Sequence, residues 1–412
     1  MNSKSRRKCG FLENNISGQN NPQPANGLIL IPEAPPQTWA IAAACILGYH
    51  KMVSASLSWG YKRVYDSVNY RLRTIAGGRF ADHCRPTSII ILLTEICNAK
   101  CVHCDIWKNT DREDSATVDT WKQVLSDMRR WLGPVQVTFS GGEAMIKPYT
   151  PELVAHGSNI GLFQEILTHG YWEDQNKMVR LANANPWRIT VSLDGVGETH
   201  TVVRGHPLFW ERTSRSIDTL LRMQKQDKRL TYHLRLKTVI MAQNLDDAPE
   251  VARYATKLGA EVFYQAIEQN YNTPEDSRWF EYTANWPQDT AKAVNTVEKI
   301  IQLKREGAHI ANSYAQLEAM IPYFKDPDAM RVAMQSHSAH EEKALCAALT
   351  GLQFQPNGDV LVCYGKKPVG NIRNTPIREI WESRPKFWDE GCCLMTRCTT
   401  AEKEARSLVT IS

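Results

Sequence analysis

Apolar residues fall along this chain in two alternating patterns. Short β-rich runs, several of them continuous and apolar, occur at TSIIILLTE (87–95), VQVTFS (135–140), LFQEILT (162–168), RITVSLD (188–194), HLRLKTVI (233–240) and EVFYQAI (261–267). Their length and β-branched content predict strands covered on both faces. Between them the period lengthens to that of a helix. Trp121, Val124, Leu125, Met128 and Leu132 recur at offsets of three and four and form one stripe. Leu245, Ala248, Val251, Ala255 and Leu258 form another, with Gly259 as its stop. Six β–α units in succession predict a parallel sheet with right-handed crossovers, hence an open or closed barrel.

The pattern changes on both sides of these units. Residues 1–36 are rich in Asn, Gln, Pro, Gly and Ser and read as a flexible tail, and 37–84 as N-terminal helices packed on the barrel. The core barrel is assigned to 85–285 and connecting helices to 286–340, with two helices over about 288–324 broken at REGAH. From Cys346 the chain becomes a small cysteine-rich module within 341–412, where LQFQPNGDVLVCY carries a hairpin signal at Pro356-Asn357-Gly358.

Composition narrows the function. Hydrophobic residues make up 42% and charged ones 23%, which argues against a disordered chain and against a membrane bundle. A net charge of +5 over 412 residues gives no case for a nucleic-acid partner. The apolar stretch WAIAAACILGY (39–49) is about half the ~20 residues of a spanning helix. It is assigned to packing on the main domain. SRRKCGFLE faintly resembles an export signal, but polar NNISGQNNPQPANG follows where an apolar segment is required. A cytoplasmic location without a transmembrane segment is expected.

Eleven cysteines are an unusual count, and most are clustered. Cys97, Cys101 and Cys104 follow the first strand directly, on the loop at its C-terminal end, the face where such barrels keep their chemistry. A further group is formed by Cys346, Cys363, Cys392, Cys393 and Cys398. Odd number and tight clustering fit reduced, metal-binding thiols better than a disulfide framework. Zinc would want a fourth ligand close by, and His103 lies awkwardly between two of the cysteines. An iron–sulfur cluster gripped from one loop fits better, with one iron left open.

CNAKCVHC (97–104) resembles the Cys-x3-Cys-x2-Cys signature of the radical S-adenosylmethionine superfamily, with His103 as the aromatic residue before the third cysteine. The resemblance implies a partial (β/α)6 TIM-like barrel of α/β class. It also implies a 4Fe-4S cluster on Cys97, Cys101 and Cys104 whose free iron chelates S-adenosyl-L-methionine. FSGGEAM (139–145) follows the second strand and resembles the family's Gly-Gly-Glu motif. Gly141 and Gly142 would let backbone approach the ligand, and Glu143 would add negative charge near a cation. The resemblance further assigns Ser192 and Asp194, in VSLDG, to the ribose region and Arg204, in VVRG, to the methionyl carboxylate. At the third strand the chain has THG, so His169 departs from the family's Thr-Asn-Gly.

The spacing from Cys346 to Cys363 and the stretch VGNIRNTPIREIWES (369–383) resemble the opening of the SPASM or twitch extension. This implies a small cysteine-rich C-terminal α+β extension with one auxiliary 4Fe-4S cluster. Its candidate ligands are Cys346, Cys363, Cys392, Cys393 and Cys398, with either Cys392 or Cys393 spare. Structural zinc in the same cysteines is the competing reading. The function implied is reductive cleavage of S-adenosylmethionine and abstraction of a substrate hydrogen atom for peptide or protein modification. A flavodoxin or ferredoxin is the implied electron donor. Oxidation of a small-molecule or lipid-linked alcohol is the alternative, and a non-catalytic iron–sulfur or zinc protein the contrasting class.

Overall fold

The computed structural model describes residues 57–72, 80–109, 114–270, 273, 276, 278–327, 347–363 and 367–386. The predicted 1–36 tail, the first N-terminal helix, and Cys346, Cys392, Cys393 and Cys398 lie outside the described residues.

All six predicted strands form, as β1 (Ser88–Leu92), β2 (Gln136–Ser140), β3 (Phe163–Thr168), β4 (Arg188–Ser192), β5 (His233–Ile240) and β6 (Glu261–Ala266). Each pairs in parallel with its sequence neighbour. A helix, α1 (57–72), precedes them. Between strands run α2 (Val118–Leu132), α3 (Thr150–Asn159), α4 (Asn176–Asn183), α5 (Glu198–Arg204), α6 (Phe209–Gln226) and α7 (Ala248–Leu258).

Local chemistry sets the helix ends. The Thr117 hydroxyl accepts the Thr120 N–H to cap α2, and the buried side of α2 is the predicted stripe, Trp121, Val124, Leu125, Met128 and Leu132. Gly259 ends α7 in the left-handed region at φ 72°. The β4–β5 crossover holds two helices, and the short first one, α5, carries Arg204 on its last turn.

Two features depart from expectation. The segment read as two helices forms three: α8 (Thr290–Arg305), α9 (Tyr314–Glu318) and α10 (Met320–Lys325). Pro322 has no N–H to continue the α9 ladder, so the helix breaks at Ala319 and restarts with proline in its first turn. The predicted hairpin does form, from β7 (Gly351–Phe354) and β8 (Asp359–Leu361), followed by β9 (Gly370–Asn371) and α11 (Ile377–Ser383). It is not a separate sheet. β7 pairs in parallel with β1, Ile90 opposite Gln353, so one sheet runs β6-β5-β4-β3-β2-β1-β7-β8-β9. The hairpin covers what would otherwise be the open β1 edge of the barrel. Cys84 is an ordinary buried thiol here, donating to the Asn69 carbonyl while its own carbonyl accepts the Trp381 indole N–H. No helix among the described residues is long and apolar enough to cross a membrane.

Candidate active site at the barrel mouth

A cavity of about 550 Å³ opens at the C-terminal ends of the strands. Cys97, Cys101, Cys104 and Gly141 form part of one wall, and Ser192, Lys237 and Gln265 part of the other. The lumen lining follows from strand alternation: even-numbered residues of β1, β2 and β4 and odd-numbered residues of β5 and β6 point inward.

The cysteine loop is held from outside. Lys100 N–H and Val102 N–H donate to the carbonyls of Arg204 and Val203 at the end of α5. The Asn285 side-chain amide donates to the Val102 carbonyl at 2.8 Å. Gly205, at φ 68°, lies so close that a Cβ there would stand 2.1 Å from the Lys100 carbonyl oxygen. The three thiols share an apolar patch with Ala99, Tyr171 and Phe209. Burial pushes the Cys97 thiol up to about 12 and raises Cys101 and Cys104 as well, so all three are neutral without a bound cation. Among the described residues no three acidic, His or Cys side chains converge on a single-ion site. That donor set does not suit one tetrahedral zinc.

The glycines of FSGGEAM are required for a different reason from the expected one. A Cβ on Gly141 would meet the Thr94 carbonyl oxygen at 2.1 Å, and one on Gly142 the Ile96 carbonyl oxygen at 2.3 Å. The close approach is to the cysteine loop, sealed by Gly142 N–H donating to Thr94 and Glu143 N–H to Ile96. Gly142→Ala therefore forces backbone apart and is expected to lower stability by about 1–3 kcal/mol. A urea midpoint unchanged from wild type would contradict this contact.

Glu143 also departs from expectation. Its carboxylate is 2% exposed and accepts from Met145 N–H, the Thr168 hydroxyl and His169 N–H at 2.8–3.0 Å. Burial pushes its pKa up to about 7, against these hydrogen bonds. Its oxygens thus bind the second loop to the third rather than standing free for a cation. His169 continues the chain of contacts. Its Nδ1 accepts the Tyr171 N–H, which leaves the proton on Nε2, 2.8 Å from Asn98 Oδ1 in the cysteine loop and 3.2 Å from Glu143. The departure from Thr-Asn-Gly thus supplies a side chain that joins three loops, and Gly170 keeps the turn at φ 70°.

Ser192 lines the cavity as expected, whereas Asp194 does not. Asp194 is fully buried, accepts Val239 N–H at 3.0 Å and pairs with Arg204 at 2.6 Å. Burial works against its charge, yet Arg204 holds the carboxyl below its usual range. Arg204 reaches the cavity wall, and its other terminal nitrogen donates to Cys101 Sγ at 3.5 Å. The expected ribose contact from Asp194 is thereby corrected to a buried brace behind Arg204. His103 lines the cavity with Nδ1 buried and without a hydrogen-bond partner, and burial lowers its pKa to about 4. Asn98 and Lys237 escaped the sequence reading, which noted His169 only as a departure from the family's motif.

Residues 91–253 match the Radical SAM superfamily and residues 346–402 match a family described as an iron–sulfur cluster-binding domain, SPASM. An AdoMet-dependent heme synthase of Methanosarcina barkeri is 27% identical over 73% of this chain and 84% of the relative. A PqqA peptide cyclase of Rhodopseudomonas palustris is 26% identical over 73% of this chain and 75% of its own. The crystal structure of Streptococcus suis SuiB bound to S-adenosylmethionine superposes with a TM-score of 0.55 at 15% identity, covering 74% of this chain and 68% of that one. That likeness is one of fold.

Proposed function

Because the chain is a radical S-adenosylmethionine enzyme with a C-terminal iron–sulfur cluster-binding domain, we propose that it abstracts a hydrogen atom from a peptide in order to modify it. The observation that carries the reading is the loop of three cysteines opening into the mouth cavity of a six-stranded parallel barrel. The peptide class is supported by a relative named a peptide cyclase.

The residues present fit the cofactors. Three thiols with no fourth cysteine packed beside them among the described residues suit a 4Fe-4S cluster with one open iron, and the orphaned His103 Nδ1 faces the same space. We assign Cys97, Cys101 and Cys104 to the cluster. His103, the Gly141–Gly142 backbone, Ser192 and Arg204 are assigned to S-adenosylmethionine, with Glu143 and Asp194 holding these groups in place. When bound, cluster and nucleotide together supply one-electron cleavage of the sulfonium and a 5′-deoxyadenosyl radical for hydrogen abstraction. The chain's own work is to bury the thiols, fix the loops through His169 and Arg204, and shut water out with Tyr171 and Phe209.

Residues 85–285 are assigned as the core, 286–340 as its connection and 341–412 as the auxiliary module. In the latter, Cys346, Cys363, Cys398 and one of Cys392 and Cys393 hold one further 4Fe-4S cluster. A flavodoxin or ferredoxin in the cytoplasm serves as electron donor.

Anaerobic reconstitution tests the reading. A brown protein with about eight irons that forms 5′-deoxyadenosine under dithionite is expected; bound zinc without cleavage would overturn it. Cys363→Ala is expected to keep uncoupled cleavage with about four irons and to lose peptide product. Full product turnover by that variant would refute the second-cluster assignment.

A further inference from the structure

Two charged side chains that line the lumen, Lys237 and Glu268, have no task in the proposed reaction. Lower in the barrel the inward-facing charges are paired, Arg188 with Glu165 at 3.5 Å and Arg235 with Glu261 at 2.6 Å. Lys237, two residues further along β5, is not. Its Nζ makes no hydrogen bond or ion pair among the described residues, although it lines the cavity that the cysteines share. Burial holds the ammonium below the usual lysine range, and the Glu268 carboxylate is the largest influence keeping it charged. A half-buried ammonium without a close partner is stabilised by a ligand that completes it.

In the sheet Lys237 is remote from the strand that carries the cluster thiols. It sits on β5, four strands from β1 and its cysteine loop in the sheet order, but in register with Ser192, which is assigned to the nucleotide. Arg204 is the cation beside Cys101. Gln265, on β6, lines the same wall and adds an amide donor.

We propose that Lys237 is the residue that anchors the substrate, binding a carboxylate inside the barrel, so that the peptide presents an acidic side chain to the cavity. The proposal rests on the peptide-modifying reading above. A carboxylate could also come from the methionyl part of S-adenosylmethionine, and the experiment separates the two sources.

The cluster-loaded enzyme, saturated with S-adenosylmethionine, is titrated calorimetrically with two synthetic probes, acetyl-Ala-Glu-Ala-amide and acetyl-Ala-Gln-Ala-amide. Wild type is expected to bind the Glu probe about tenfold to a hundredfold more tightly, the range of one charge-assisted hydrogen bond. Lys237→Met is expected to abolish that preference while keeping nucleotide affinity and uncoupled 5′-deoxyadenosine formation, and Lys237→Arg to restore part of it. Equal binding of the probes by wild type, or a preference that survives in Lys237→Met, would overturn the proposal. So would a loss of S-adenosylmethionine affinity in Lys237→Met, which would assign the lysine to the nucleotide. A wild type that discriminates between the probes but yields no 5′-deoxyadenosine would leave Lys237 standing and sink the radical reaction instead.

Discussion

Replacing Cys101 with alanine is expected to remove about half of the reconstituted iron and to lower 5′-deoxyadenosine formation by more than about a hundredfold. Loss of an outer hydrogen-bond partner of a metal ligand costs about 10–100-fold, and loss of the ligand itself exceeds that. Cys101 is the middle thiol of the loop and the most buried of the three, at 8% exposure. It is also the one that accepts a hydrogen bond from Arg204. Among the described residues only these three thiols pack together here, so no fourth cysteine stands by to replace one. The fold should be nearly indifferent, because the substitution removes one sulfur from a loop held by backbone bonds at Lys100 and Val102. Iron analysis, cleavage assay and urea melting of the metal-free protein check the three parts. Cleavage at the wild-type rate would overturn the assignment of this loop to the catalytic cluster.

Asp194→Asn is expected to destabilise the metal-free protein by about 3–5 kcal/mol, since removing one partner of a buried ion pair leaves the other charge uncompensated. Arg204 is 7% exposed and Asp194 is fully buried, so water does not replace the lost carboxylate. The strain should travel, because Arg204 ends α5 and the adjoining carbonyls hold the cysteine loop. Asp194→Asn combined with Arg204→Met removes both charges and is expected to recover part of the loss, a coupling that a double-mutant cycle measures. Additive destabilisation in the cycle would show that the two side chains do not act as a pair. Reduced nucleotide affinity in Asp194→Asn is expected as a consequence of a displaced Arg204.

The six strands and the α2 stripe were legible in the chain because each depends on residues a few positions apart. The continuous apolar run at 87–95 reports a strand covered on both faces, and the 3.6-residue period from Trp121 to Leu132 reports the side of α2 that is buried. The cysteine loop was legible for the same reason, since three thiols within eight residues can face one space whatever the rest of the fold does. Gly141 and Gly142 were recognised by position, but what stands against them, the carbonyls of Thr94 and Ile96, is some 45 residues away in sequence. Only the packed barrel decided that Asp194 faces Arg204 rather than the cavity, that His169 joins three loops, and that the C-terminal hairpin continues the barrel sheet through β1. Only it placed Lys237 without a partner in the shared lumen. Local periodicity and spacing are properties of the chain, whereas the partner of a buried charge is chosen by which strands and helices lie side by side.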